Sequence, residues 1–254
     1  MSERLPTTPS TPTEPAEPPS PPPPPTALDR AFLTDIERLT TIILVRHGEQ
    51  AVPDQGQSAR REQWIDPPLS ARGVRQAEAV GAGLEPEAID AVYASPLKRA
   101  LDTGRAVAER HGLDVQSLAE LREIELFRDL PEGTSLLDAL DALLLSGVRE
   151  RFVRERRWDV YPYGETGDEL RHRVVMAIEG IIATLPGSTI VVACHGGVIN
   201  SYVGSVLGIT EQDMWFRPNH ASVHRVVAHG DRRVVRSLNE VHHLRSVDPE
   251  LVSW

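Results

Sequence analysis

Three short stretches carry the groups that could do chemistry: Arg46-His47-Gly48-Glu49, Ser95-Pro96-Leu97-Lys98-Arg99-Ala100 and Cys194-His195-Gly196-Gly197. Each supplies an arginine or a histidine. A planar guanidinium grips two oxygens of an anion at once, and an imidazole can attack, or give and take a proton, near neutral pH. Glycines beside both histidines let backbone approach closely. The three stretches therefore describe a pocket for an anion, phosphate before any other.

The elements that must hold these groups can be read from what precedes each stretch. Thr41-Ile42-Ile43-Leu44-Val45, Ala91-Val92-Tyr93 and Ser188-Thr189-Ile190-Val191-Val192 are apolar, β-branched runs that read as buried strands. Ser95 can cap a helix with Pro96 at its first position, running to about His111, and Cys194-His195-Gly196-Gly197 leads into a second helix ending near Leu207. Strand ends feeding helix starts put the side chains at the carboxyl edge of an open sheet, with helix dipoles pointing inward. The expected fold is α/β: a three-layer α/β/α sandwich with a mostly parallel central sheet. Thr166-Gly167-Asp168-Glu169 forms a capping box for a helix to about Leu185, which gives the adjacent Glu165 a structural reading. Ala221 to Ala228 and Arg232 to Leu238 read as two strands around His229-Gly230-Asp231.

These motifs, in this order, resemble the histidine phosphatase superfamily, which includes the cofactor-dependent phosphoglycerate mutases and many phosphatases. Arg46-His47-Gly48 matches its Arg-His-Gly motif, Ser95 to Ala100 its Ser-x-x-x-Arg-Ala pattern, and His195 to Gly197 its His-Gly-Gly pattern. Leu69-Ser70-x-x-Gly73-x-x-Gln76-Ala77, Leu121-Arg122-Glu123-Ile124 and Gly164-Glu165-Thr166 are lesser echoes, and together they span Thr41 to about Leu238. The resemblance implies a phosphoglycerate mutase-like fold and a histidine acid phosphatase-type enzyme that works without metal or cofactor. It makes His47 the nucleophile, forming a phosphohistidine, with Arg46 and Arg99 gripping phosphate. His195 donates to an equatorial oxygen, and Glu123 is the general acid. Gly196 and Glu49 complete the expected substrate contacts. Neighbouring Arg46 and Arg99 disfavour a further positive charge and push the His47 pKa down, keeping it nucleophilic. Residue chemistry alone leaves the acid open among Glu123, Glu125, Glu49 and Asp129.

Departures from the mutase pattern decide the reaction class. Glu49-Gln50-Ala51-Val52-Pro53 replaces the family's Ser-x-x-Asn run, Trp64 lacks a preceding glycine, and no long insertion follows Glu123. Nothing here is built to shelter an intermediate from water while a second ligand turns around. Phosphomonoester hydrolysis is the expected activity, with mutase-type phosphotransfer as the alternative and a non-catalytic phospho-ligand binding module as the alternative of another class. Glu125-Leu126-Phe127-Arg128-Asp129, where relatives often place Gly and Trp, leaves the substrate unnamed.

The rest of the chain bounds these readings. The net charge of −10 excludes general nucleic-acid binding and makes the Arg-His cluster stand out. The single cysteine, Cys194, permits no intrachain disulfide and reads as packing in a reducing compartment. His220 and His224 are four apart and His242-His243 adjacent, but four residues along a strand span about 13 Å, too far for one metal ion. About half of the 21 prolines fall in the first 25 residues, so residues 1–28 read as a disordered tail and 29–254 as the catalytic domain. Pro21 to Pro25 favour polyproline II, a spacer or a site for a proline-reading partner. With no signal-peptide pattern and no membrane-length apolar run, the expectation is a cytoplasmic protein with a small phosphorylated substrate, a homodimer being the candidate assembly. Thr134 to Arg157 reads as a helical insertion with Leu136, Leu137, Leu140, Leu143 and Leu144 at near-helical spacing and a basic end, either packing on the core or capping the pocket.

Overall fold

The computed structural model describes residues 25–34, 36–54, 60–135 and 142–254. Six strands form one sheet in the order β3-β2-β4-β1-β5-β6: β1 (Thr40–Arg46), β2 (Ala91–Ala94), β3 (Val115–Ser117), β4 (Thr189–Cys194), β5 (Val223–His229) and β6 (Arg232–Glu240). The pairs β1·β4, β2·β4 and β2·β3 are parallel, whereas β5 runs antiparallel to both neighbours. Side chains alternate across β1 as a strand buried on both faces requires. Ile42 and Leu44 meet α6 (Gly167–Thr184) and α7 (Gly196–Leu207) through Leu170, Val174, Ile178, Val198 and Tyr202. Ile43 and Val45 face the opposite layer, where α3 (Ala71–Leu84), α4 (Lys98–His111) and α8 (His242–Val247) supply Val80, Val107 and Leu244. The three layers and the mostly parallel sheet agree with the sequence reading.

Register places the chemistry. Arg46 of β1 is paired with Cys194 of β4, and Ala94 of β2 with Ala193. The next residues, His47, His195 and Ser95, therefore leave three adjacent strands at one height, and His47 N donates to Cys194 O at 2.9 Å. The helix after β1 lies on one face and the helix after β4 on the other, the arrangement that opens a crevice at a sheet's carboxyl edge.

Local details correct several boundaries. Ser95 does not cap α4: the cap is Leu97, and the Ser95 hydroxyl takes the Leu97 N–H at 3.3 Å and contacts His195. Thr166 does cap α6, in a full capping box with Glu169. Of the expected insertion, α5 (Ala142–Glu155) is helical, while Ser135 pairs with Arg60 in an isolated bridge instead of continuing the helix. Leu136, Leu137 and Leu140 lie outside the described residues, as does nearly all of the proline-rich stretch. The short helices α1 (Ala27–Phe32), whose start falls inside the 1–28 stretch, and α2 (Arg61–Ile65) complete the set. No helix among the described residues is long and apolar enough to cross a membrane.

Candidate active site

His47 sits at the centre of the crevice, 4% exposed. Its Nδ1 lies 2.7 Å from the Gly48 carbonyl oxygen, which can only accept, so Nδ1 carries the ring proton and Nε2 keeps its lone pair. Arg99 Nε donates to that Nε2 at 3.3 Å. The ring's pKa lies well below its ordinary value, chiefly because burial penalises the charged form and then because Arg99, His195 and Arg46 crowd it. The sequence reading credited the arginines alone; desolvation is the larger cause.

Around this ring the donors are fixed but not exhausted. Arg46 donates to Pro218 O and, at 3.1 Å, to His220 Nε2, leaving its Nε buried without a partner. Arg99 is anchored by Nη1 to Ile65 O at 2.9 Å. His195, wholly buried, lies 5.0 Å from His47 between ring centroids and meets the Ser95 hydroxyl through Nε2 at 2.8 Å, while its Nδ1 has no partner. Burial, then Arg99 and Arg46, also hold His195 neutral. A buried donor left unsatisfied costs about 1–3 kcal/mol, so the unpartnered Nε of Arg46, a residue that lines the crevice, is best explained by a ligand that accepts.

Glu123 is brought to the same place by α7. Its carboxylate accepts the Gly197 N–H at 3.1 Å and 3.2 Å, and a Cβ at Gly197 would stand 2.3 Å from Oε1, so only glycine allows the approach. It is also the charge that most supports protonation of Arg46 and Arg99. Glu125 turns instead to Arg122 in an ion pair. Asp129 pairs with exposed Arg128, and Glu49 is held by Arg72 at 3.2 Å and by the Ser70 hydroxyl at 2.9 Å. Of the four carboxylates that residue chemistry left open, Glu123 faces the arginines and histidines. Gly196 opens α7 beside it, its Cβ direction 3.9 Å from Arg46 Nε. Glu165 is structural: it receives Arg173 at 2.6 Å and 2.8 Å and the Glu125 N–H at 3.1 Å. Cys194 is fully buried and its thiol pKa is pushed up by burial and Glu123, in keeping with packing.

Sequence reasoning missed two parts of the site. The first is His220, distant from Arg46 by 174 positions. Because Arg46 can only donate, His220 Nε2 accepts, and its Nδ1 donates to Ser253 Oγ at 3.0 Å. Burial and then Arg46 push its pKa down to about 3, which keeps it an acceptor. Ser253 Oγ also receives Gln76 Nε2 at 3.0 Å, and Gln76 Oε1 takes the Glu49 N–H at 2.7 Å, tying α3, the last residues and the β1 exit together. His224, which spacing coupled to His220, points elsewhere, to Ser222 and Asn239. The second is the aromatic wall: a cavity of about 810 Å³ over His47 and Glu123 is lined by Trp64, Phe127, Trp158 and Trp254. Only the proximity of several tryptophans in space, not in sequence, reveals it.

Comparisons with known proteins agree with this geometry. Residues 42–241 match the model of the histidine phosphatase superfamily (branch 1). The chain is 29% identical over 214 residues to phosphoserine phosphatase 1 of Hydrogenobacter thermophilus, covering 81% of this chain and 95% of that protein. It is 30% identical over 225 residues to the metal-independent phosphoserine phosphatase of Arabidopsis thaliana, covering 82% and 85%. Among solved structures, Bacillus stearothermophilus YhfR superposes with a TM-score of 0.68 at 24% identity, over 81% of this chain and 99% of that one.

Proposed function

Because the chain belongs to the histidine phosphatase superfamily, we propose that it hydrolyses phosphate monoesters of small metabolites through a phosphohistidine on His47. The observation that carries this reading is the His47 ring itself: buried, kept neutral, and held by Gly48 in the tautomer that leaves the Nε2 lone pair unprotonated and facing Arg99. Two relatives named as phosphoserine phosphatases, one of them metal-independent, support hydrolysis without a metal.

In the first step the Nε2 lone pair attacks phosphorus and the bond to the ester oxygen breaks, with Glu123 supplying the proton that the departing alkoxide needs. Arg46 through its vacant Nε, His195 and Arg99 take the equatorial oxygens. Negative charge accumulates on those oxygens in the transition state, and fixed donors stabilise it without reorganising. In the second step Glu123 takes a proton from water, the oxygen bonds to phosphorus, and the P–N bond breaks to release inorganic phosphate. Gly197 N–H holds the carboxylate in place for both transfers.

A labelled phosphate ester, quenched in alkali during turnover, tests the reading. The expected result is acid-labile, alkali-stable label on His47 together with released inorganic phosphate. Label on another residue removes the mechanism, and absence of turnover on any chromogenic ester favours the binding module. Product analysis with 3-phosphoglycerate, with and without 2,3-bisphosphoglycerate, separates hydrolysis from transfer.

A further inference from the structure

Among the described residues the Arg46 guanidinium donates to neutral groups: Nη1 to the Pro218 carbonyl and Nη2 to His220 Nε2 at 3.1 Å. A carboxylate in the place of His220 would hold the guanidinium more strongly, but it would also cancel the charge that draws phosphate into the crevice. An imidazole acceptor fixes direction and leaves that charge whole. Because a guanidinium has donors only, the contact at Nε2 requires the neutral ring with its proton on Nδ1.

The surroundings hold the ring in that form. Nδ1 donates to Ser253 Oγ at 3.0 Å, and Ser253 is itself pinned: its carbonyl accepts the His220 N–H at 2.9 Å and Asn219 Nδ2 at 3.0 Å, and its hydroxyl receives Gln76 Nε2 at 3.0 Å. Gln76 is wholly buried; its Nε2 also reaches Leu251 O at 2.6 Å, and its Oε1 takes the Glu49 N–H at 2.7 Å. The hydrogen bonds thus run from the Arg46 side chain through His220, Ser253 and Gln76 to the Glu49 backbone, bracketing His47 from both sides. Next to His220, Ala221 adopts a left-handed φ of 51° although it carries a Cβ, and its N–H donates to the His47 carbonyl at 3.2 Å. Such a conformation costs energy and is retained where the surroundings impose it. The His220 ring stands 5.9 Å from that of His47, on the wall of the same cavity.

We propose that His220 is a positioning residue: as an uncharged acceptor it aims the Arg46 guanidinium at the phosphate without neutralising it, and Ser253 and Gln76 hold its ring in the tautomer that can do so. This rests on the phosphatase reading, in which Arg46 takes an equatorial oxygen, and it acts through Arg46 alone, with no contact between His220 and the reacting atoms.

The test measures inhibition of chromogenic ester hydrolysis by orthovanadate, which presents equatorial oxygens to the same donors. An inhibition constant does not depend on how much of a variant is folded, so loss of stability alone leaves it unmoved. His220→Leu removes the acceptor and should weaken inhibition by about tenfold, since a hydrogen bond to a charged group is lost. His220→Gln puts an amide oxygen where Nε2 stands and should return the constant to within about threefold of the parent's. His220→Glu has the shape and reach of Gln but neutralises Arg46, and should be inhibited as weakly as the Leu variant or more weakly still. Ser253→Ala frees Nδ1 and should weaken inhibition by about threefold, and it carries the test if the Leu variant does not fold. A variant too slow to assay is read from the rise in Tm that vanadate gives it. Parental affinity in the Leu and Ser253 variants, or equal affinities in the Gln and Glu variants, overturns the proposal while the phosphatase reading stands. A parent protein that turns over no ester removes both.

Discussion

Arg173 and Arg99 are both largely buried arginines within reach of the same crevice, yet they are used in opposite ways. Arg173 spends every donor on the protein: two bonds to the Glu165 carboxylate and others to the carbonyls of Glu120, Arg122 and Glu123. It fixes the segment that presents Glu123. Arg99 has no carboxylate partner and points Nε at the His47 lone pair. A guanidinium saturated from within builds structure, whereas one buried with charge to spare waits for an anion.

The sharpest way to break that contrast is to remove each arginine in turn. Arg173→Ala strands the Glu165 carboxylate, 5% exposed, and should cost about 3–5 kcal/mol, lowering Tm by roughly 10 °C. Arg99→Ala should leave Tm nearly unchanged or raise it, because it relieves a buried, unpaired charge, while kcat/KM falls by about 10²–10³-fold. Thermal melts with assays on a chromogenic ester read both. If Arg99→Ala melts as low as Arg173→Ala, the two arginines are not different in kind.

A smaller effect sharpens the same point among carboxylates. Glu123→Gln should slow turnover of an alkyl ester by about 10²-fold, because the leaving alkoxide loses its proton donor, whereas Glu125→Gln only frees Arg122. The reverse order in kcat would move the acid to Glu125.

A further effect comes with pH. His47, His195, His220 and His224 all have depressed pKa values in the folded state, the last two at about 3. Below the ordinary histidine pKa of about 6.5 the unfolded chain binds more protons than the folded one, so stability is complete above that pH and lost as pH falls toward 3. Tm should be flat above about pH 7 and decline below about pH 6.5, with a shallower decline in His224→Asn. A flat profile down to pH 4 would mean that these rings charge freely in place, and the neutral His47 lone pair would go with them.

What the sequence disclosed and what it concealed divide along local and non-local lines. The strand ends at Arg46 and Cys194, the capping box at Thr166 and the helix ending at Leu207 follow from periodicity and caps within a few residues, and the structure agrees with them. Ser95 was misjudged as a cap because a competing partner, His195, arrives from another strand. His220 went unseen for the same reason: nothing near position 220 announces Arg46, and only the antiparallel return of β5 brings it there. The dominance of desolvation at His47 was equally hidden, since burial belongs to the assembled layers and not to the motif.

One seam in the fold has a wider consequence. A Cβ on Gly48 would lie 2.4 Å from Gly73 O, and one on Gly73 would lie 2.0 Å from Glu49 O, so the exit of β1 and the first turn of α3 touch backbone to backbone. Neither side has a flexible tip that could swing aside. Whatever side chains the outer loops carry, a single added methyl at this joint would wedge the His47 loop off its seat.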